Sequence, residues 1–187
     1  WCAGCFCGSC FSIIRTDMTW QSAEREVQGE IMRTDVFVKI FSDQQDALSL
    51  EKDLDRAFAL FREFESRFSR FREESELSIF NRSSSAIVSV ELFDLLLRSQ
   101  AYVYETEGVF DPTILPALEQ EGYQASFGSD RFGVPAKTPS QTRSVFSDIV
   151  LNPYTRQVSK PKECRVDLGG IGKGYIVDRV AQVLRKT

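Results

Sequence analysis

A long amphipathic segment between residues 46 and 71 constrains the fold of this 187-residue chain more than any other feature. Apolar side chains return at steps of three and four, and Lys, Asp, Arg and Glu occupy the positions between them, as on an amphipathic α-helix. The stripe consists of Leu50, Leu54, Phe58, Phe61, Phe64, Phe68 and Phe71. We expect these side chains to form a core rather than bind a cofactor, with Phe71 at the helix end as the exception that a ligand could reach.

Shorter patterns complete the α+β assignment. Residues 31–41 alternate between apolar and other side chains and predict a strand. Residues 142–160 predict a strand, an Asn-Pro-Tyr-Thr turn and a return strand, and residues 164–168 predict a third short strand. A second helix is expected over 88–108, with Ser89 as its N-cap. Together these elements favour a single α+β domain with a mixed sheet packed by long helices.

The composition excludes several classes of function. The chain has no histidine, so Ser-His-Asp catalysis, Cys-His catalysis and His-ligated zinc or haem are excluded within it. The net charge of −4 comes without a basic block, which argues against a nucleic-acid groove. No apolar run approaches the roughly 18 residues that a membrane helix needs. Any chemistry must therefore use carboxylates, hydroxyls, lysine, backbone amides or a bound metal.

The N-terminal segment is rich in cysteine. Its first ten residues contain four of the five cysteines, Cys2, Cys5, Cys7 and Cys10. Thiolates at this spacing can converge on zinc or an iron–sulfur cluster. However, no second ligand pair follows, and the segment lacks the basic region and apolar stretch of a signal peptide. We therefore expect residues 1–25 to be unstructured or artefactual, and residues 26–187 to carry the fold.

The sequence VDLGGIGKG, residues 166–174, places four glycines within six positions between a predicted strand and a helical pattern. Such a turn directs backbone N–H groups and the positive end of a helix at one point, where a phosphate can bind. The spacing matches neither the P-loop nor the Rossmann fingerprint. The glycines could equally serve close strand–helix packing. Asp167 could bind a metal, orient a hydroxyl near Lys173, or cap the turn.

Three motifs in this chain share the order and approximate spacing of one family. They are SRFREESELSIFN at residues 69–81, TEGVFDPTILPAL at 106–118 and VDLGGIGKGYIVDR at 166–179. These look like S-x-[FY]-x-x-x-S-x-[LI]-x-x-[FL]-N, G-x-[FM]-D-x-T-[VI]-x-P-L and D-L-G-G-I-[AG]-K-G-Y-x-x-D. Over about residues 29–187 the chain resembles the FAD:protein FMN transferases, a bacterial family.

The resemblance implies an α+β fold that binds FAD in a cleft, cleaves its pyrophosphate with Mg²⁺ and transfers FMN to a Thr or Ser hydroxyl of an acceptor flavoprotein, with AMP leaving. Such phosphoryl transfer needs positioning and charge neutralisation but no histidine. An FAD pyrophosphatase, which yields FMN and AMP, and a non-catalytic FAD-binding protein are alternatives, and a structural domain whose glycines only pack is a third. The resemblance also implies the periplasmic side of the inner membrane, reached by a lipid anchor, with the cytoplasm as the alternative.

The resemblance also assigns residues to roles. The implied cofactor contacts are Met32, Phe71, Asn81, Val109, Phe110, Asp111, Asp167 and Lys173. Asp167 and Lys173 are the expected catalytic residues, and the backbone carbonyl of Gly170 is the expected Mg²⁺ ligand. Arg33 stands where the family pattern has a glycine. The other Mg²⁺ ligands, an Asp and a Thr or Asp, belong to a more C-terminal region, so we expect this chain to be the N-terminal portion of the domain.

Overall fold

The computed structural model describes residues 23–42, 47–123 and 145–185. In chain order the elements of these ranges are β1 (Ala23–Ile31), β2 (Thr34–Ser42), α1 (Ala47–Phe68), α2 (Glu76–Arg82), β3 (Ser85–Ile87), α3 (Val90–Glu105), α4 (Leu115–Gln120), β4 (Val150–Leu151), β5 (Gln157–Ser159) and α5 (Gly172–Leu184). The α+β class predicted from the sequence is confirmed. The four N-terminal cysteines lie outside the described residues. No helix in the described part of the chain is long and apolar enough to cross a bilayer.

The chain divides into two compact units. Of the described residues, those up to 63 and from 176 onward belong to the first unit, and those between 64 and 175 belong to the second. The division therefore falls inside α1 and inside α5. The expected domain boundary after residue 25 stays a prediction, although β1 already begins at Ala23.

The first unit contains an antiparallel hairpin in which β1 pairs with β2 from Ala23 opposite Ser42 to Ile31 opposite Thr34. The strand predicted over residues 31–41 is thus the second arm of a hairpin. Its first arm, AEREVQGEI, is mostly polar and carries too weak an apolar pattern to be recognised. Ile31 and Val38 are buried.

The aromatic stripe of α1 forms a core, as its spacing predicts. Every member of the stripe from Leu50 to Phe68 is at most 7% exposed. The helix ends at Phe68, and Phe71 lies beyond it with 40% of its surface exposed. The chain turns here because the carbonyl of Ser69 accepts a bond from the Ser75 hydroxyl at 2.7 Å instead of continuing the helix.

Serine caps start the two helices that follow in the second unit. The Ser75 hydroxyl accepts the N–H of Ser78 at 3.0 Å at the start of α2. The Ser89 hydroxyl accepts the N–H of Leu92 at 3.1 Å at the start of α3, which confirms the predicted cap. The apolar face of α3 is buried, and it includes Leu92, Phe93, Leu95 and Leu96.

The second unit also contains a small sheet with strand order β3-β5-β4. All strand pairs in the described residues are antiparallel, so they form two small antiparallel sheets rather than the single mixed sheet expected. Of the strand, turn and return strand predicted over residues 142–160, β4, an Asn152-based turn and β5 are present. Residues Phe146–Asp148 form a 3-10 turn instead of the start of the first strand, and residues 142–144 lie outside the described residues. The strands are short, and Val158 of β5 is completely buried.

Candidate functional site

The segment Cys164–Leu168 leads into the glycine turn, and it is not the β-strand that its apolar alternation predicted. Its hydrogen bonds go to a side chain and a loop instead of a neighbouring strand. Asn81 donates its Nδ2 to the Val166 carbonyl and accepts the Val166 N–H at Oδ1, both at 2.8 Å. The next N–H, of Asp167, donates to the Pro112 carbonyl at 2.8 Å. These bonds fix the backbone on which the Asp167 side chain stands.

Asp167 is held by both of its carboxylate oxygens. Oδ2 accepts the Arg70 Nε–H at 2.8 Å, and the two side chains are only 13% and 6% exposed. Oδ1 accepts the N–H of Gly169 at 2.6 Å, so Asp167 does cap the turn. Each carboxylate oxygen can accept a second bond, which leaves capacity for a ligand donor.

Arg70 connects Asp167 to a pair of aromatic rings. Its guanidinium carbon lies 4.2 Å from the ring centroid of Phe71 and 4.4 Å from that of Tyr123. The two rings meet edge to face, with centroids 6.0 Å apart. A second nitrogen of Arg70, Nη2, donates to the Tyr123 carbonyl at 2.9 Å. Phe71 therefore has a half-exposed ring beside the buried Arg70–Asp167 pair.

The glycine turn is closely packed rather than conformationally unusual. No glycine between residues 169 and 174 has a positive φ. A Cβ on Gly169 would lie 2.9 Å from Asp167 Oδ1, and one on Gly170 would lie 3.1 Å from Cε2 of Phe110. At Gly172 a Cβ would lie 3.3 Å from the Phe64 ring, whereas at Gly174 it would meet nothing within 4 Å. Three of the four glycines therefore leave room for neighbours.

The loop before α4 lies against this turn through the Phe110 ring and the Pro112 carbonyl. Asp111 has the extended backbone predicted for a residue before proline, with φ −142° and ψ 112°. Its Oδ1 accepts both the N–H and the hydroxyl of Thr113, at 2.8 and 2.7 Å. Val109, two residues before Asp111, is 91% exposed.

Lys160 is a buried charge that the sequence did not reveal. It is only 5% exposed, and its ammonium donates to the carbonyls of Ser83 at 2.8 Å and Asn81 at 3.3 Å. Burial lowers the pKa of this ammonium. Lys160 thereby satisfies the last carbonyls of α2 and supports Asn81, the residue that holds Val166.

Most of the predicted site residues belong to the second unit. Gly170 belongs to the turn, Asp167 caps it, and the Phe110 ring lies against it. Asn81 bonds to Val166, and Phe71 packs on Arg70, the partner of Asp167. Asp111 precedes Pro112, whose carbonyl accepts the Asp167 N–H. Lys173 is exposed in the first turn of α5. Met32 belongs to the first unit, in the β1–β2 turn. The roles assigned to these residues stay predictions.

Two functional candidates, Arg70 and Lys160, were missed from the sequence. Arg70 carries a weak signal, because it sits between Phe68 and Phe71 at the end of an apolar stripe. Lys160 carries none, since VSKPKEC has the composition of an ordinary exposed turn.

The described residues supply little of a metal site. Among residues 23–42, 47–123 and 145–185 no group of three or more His, Cys, Asp or Glu side chains could hold an ion. The exposed turn at Gly170 offers a backbone carbonyl, a hard oxygen of the kind that Mg²⁺ prefers. The described residues thus fit a contribution to a Mg²⁺ site rather than a complete one.

Sequence comparison places the chain among known relatives. The sequence model of the ApbE family matches residues 32–187. An FAD:protein FMN transferase of Haemophilus influenzae is 26% identical in a 172-position alignment that covers 86% of this chain and 49% of that protein. One of Treponema pallidum is 28% identical in a 196-position alignment that covers 98% of this chain and 51% of the other. The chain spans about half the length of these relatives.

Structural comparison gives the same fold. The apo flavinyl transferase ApbE of Pseudomonas stutzeri superposes with a TM-score of 0.75 at 20% identity, over 91% of this chain and 57% of that one. The ApbE protein of Thermotoga maritima gives a TM-score of 0.72 at 22% identity, over 87% of this chain and 52% of that one. The flavin transferase ApbE of Vibrio cholerae gives 0.69 at 25% identity, over 89% and 54%.

Proposed function

Since this chain belongs to the ApbE family, we propose that its complete gene product transfers FMN from FAD to a Thr or Ser hydroxyl of an acceptor protein. The two curated relatives have this activity by name, and the family model matches residues 32–187, which include the glycine turn. The activity comes to this chain by its similarity to them.

The observation that carries the proposal is the fixed carboxylate of Asp167, which lies at the start of the closely packed glycine turn. Arg70 and the Gly169 N–H orient that carboxylate, and its remaining acceptor capacity suits an N–H or O–H of a bound cofactor. Gly174, whose missing Cβ would meet nothing within 4 Å, leaves the backbone of the first turn of α5 open to a ligand.

The proposed reaction is a displacement at phosphorus. The acceptor hydroxyl oxygen forms a bond to the FMN phosphorus, and the bond from that phosphorus to the bridging pyrophosphate oxygen breaks. AMP leaves with the bridging oxygen, and the hydroxyl proton is released. We assign Lys173, on the first turn of α5, to neutralise phosphate charge together with the helix N-terminus. Asp167 orients the cofactor.

The other predicted contacts of the second unit belong to this proposal. We propose that Phe71 and Phe110 pack against planar or apolar parts of FAD and that Val109 and Asp111 line its approach. The flavin contact of Met32, in the first unit, stays a prediction from the family resemblance. Asn81 acts on the cofactor through the Val166 backbone that it holds. These assignments separate ring-contacting residues from those that shape the turn.

We propose the Gly170 carbonyl as one Mg²⁺ ligand contributed by this chain. A bound Mg²⁺ would neutralise pyrophosphate charge, which is the chemistry that phosphoryl transfer requires. In the described part of the chain, the carboxylates near the turn are otherwise engaged, Asp167 with both oxygens and Asp111 with Oδ1. Their charge still contributes to the cation's surroundings.

The test uses the complete gene product with FAD, Mg²⁺ and a Thr-bearing acceptor, followed by mass spectrometry of the acceptor. We expect an FMN adduct with wild type, and strongly reduced formation with Asp167→Asn and Lys173→Met. Lys162→Met, an exposed lysine before the turn, is the matched control and should behave as wild type. AMP release without an adduct would indicate a pyrophosphatase, and absence of both products would refute the enzyme assignment.

A further inference from the structure

Arg70 contacts several parts of the chain around the glycine turn. It is nearly buried, and it bonds to Asp167 through Nε and to the Tyr123 carbonyl through Nη2. Its guanidinium lies against the rings of Phe71 and Tyr123. It therefore links three separate parts of the second unit: the chain after α1, the chain after α4, and the segment before the turn.

The burial of this pair decides how much Arg70 matters. Ion pairs on the surface contribute little, because water and salt screen them. Arg70 and Asp167 are instead 6% and 13% exposed, so removing the arginine would leave a carboxylate desolvated and without its counter-charge. The carboxylate would then seek water or another donor, and its direction relative to the turn would change.

The geometry also distinguishes arginine from lysine. A planar guanidinium can donate from Nε and Nη2 in fixed, divergent directions while its faces contact aromatic rings. An ammonium at the same site can keep the charge opposite Asp167, but it cannot reproduce both directed bonds and the ring contacts. Lysine should therefore restore the electrostatic part of the arrangement and lose the rest.

We propose that Arg70 is a positioning residue of the cofactor site, which sets FAD affinity by holding the Asp167 carboxylate and the Phe71–Tyr123 ring pair in their binding arrangement. This inference rests on the proposed function, since FAD is the ligand it concerns. Most of its contribution to binding passes through Asp167 and depends on that carboxylate, and the ring contacts supply the small remainder.

The test is a double-mutant cycle on FAD affinity in the complete gene product, with Arg70→Met, Asp167→Asn and the double variant. Arg70→Met should raise the FAD dissociation constant by roughly 10- to 100-fold, the size of a lost charge-assisted hydrogen bond. Adding Arg70→Met to Asp167→Asn should raise it by roughly threefold at most, because the group that Arg70 orients is already altered. Arg72→Met changes an exposed neighbouring arginine and should leave affinity unchanged.

Arg70→Lys provides the rescue and protects the test against misfolding. It should recover part of the affinity lost in Arg70→Met, and if Arg70→Met does not fold, the cycle is run with Arg70→Lys. If the fold-losses of FAD affinity in the two single variants multiply in the double variant, the inference is wrong. Wild-type FAD affinity in Arg70→Met would also overturn it. Wild-type protein that binds no FAD would refute the proposed function and this inference with it, whereas binding with an uncoupled cycle would refute only the inference.

Discussion

The glycine turn of residues 169–174 contains glycines without a left-handed backbone, whereas the Met32–Arg33 turn has a left-handed backbone without a glycine. The glycine turn contains four glycines, none of which has a positive φ. The hairpin turn has φ of 54° at Met32 and 53° at Arg33, yet contains no glycine. The one glycine of that hairpin is Gly29 in β1, where a Cβ would lie 2.6 Å from Cε1 of Phe58. In both regions glycine provides space, and the turn that needs a left-handed backbone does without it.

The difference shows what a glycine-rich motif can and cannot indicate. A two-residue hairpin with positive φ at both central positions favours Asn-Gly, and a larger side chain there costs roughly 1 to 2 kcal/mol. The Met32–Arg33 turn therefore stores backbone strain. The glycine turn instead depends on contacts with Asp167, Phe110 and Phe64, so its substitutions should act through packing.

The largest effect is expected at Gly29. Gly29→Ala places a methyl group against the Phe58 ring, and overpacking of this kind costs about 2 to 3 kcal/mol. Chemical denaturation of the variant should show this loss in the free energy of unfolding, while Gln28→Ala at the exposed neighbouring position should lose much less. Equal losses of unfolding free energy in the two variants would show that Gly29 is not there to make room for Phe58.

Gly170→Ala should have the next largest effect. Its Cβ would lie 3.1 Å from Phe110, whose ring can shift by a few tenths of an ångström, so we expect a loss of about 1 to 2 kcal/mol. Combining it with Phe110→Leu should cost less than the sum of the two single losses, as measured by denaturation. A strictly additive double variant would show that the glycine is not there to make room for Phe110.

Arg33→Gly should act in the opposite direction. Glycine accepts the left-handed backbone, whereas alanine keeps the strain. The free energy of unfolding of Arg33→Gly should therefore be about 1 kcal/mol higher than that of Arg33→Ala. Thermal unfolding of the two variants measures the difference. If alanine proves as stable as glycine, the hairpin turn is not strained and the contrast between the regions fails.

The smallest effect is expected at Gly174, the one glycine of its turn with no atom near its missing Cβ. Because it lies within α5, Gly174→Ala should stabilise the protein by about 0.5 kcal/mol through helix propensity. A small rise in melting temperature would confirm this. Destabilisation comparable to that of Gly170→Ala would mean that the four glycines act alike.

Features with a local cause could be predicted from the sequence. The α1 stripe follows from its spacing, the Ser89 cap from its side chain, and the extended Asp111 from the proline that follows. In contrast, residues 164–168 alternate like a strand but bond to Asn81, which is 85 positions from Val166. No local pattern encodes that partner.

The buried charges that support the site, Arg70 and Lys160, could not be predicted from the sequence for the same reason. Arg70 and Lys160 are charged residues, which are rarely buried without partners, and their partners come from distant parts of the chain. Motif resemblance pointed to Asp167 and Gly170 but carried no information about what holds them. The roles of Asp167 and Gly170 stay predictions, and the contacts that hold these residues could be found only in the tertiary structure.

The central claim is that FAD binds at the glycine turn, and amide hydrogen exchange of the complete gene product with and without FAD and Mg²⁺ tests it most directly. We predict slower exchange in peptides covering residues 167–174 when FAD is present, because the ligand shields the turn and tightens the Asp167–Gly169 bond. The β4–β5 turn, residues 152–156, should exchange equally in both states. Unchanged exchange at 167–174, under conditions where FAD is bound, would contradict the account.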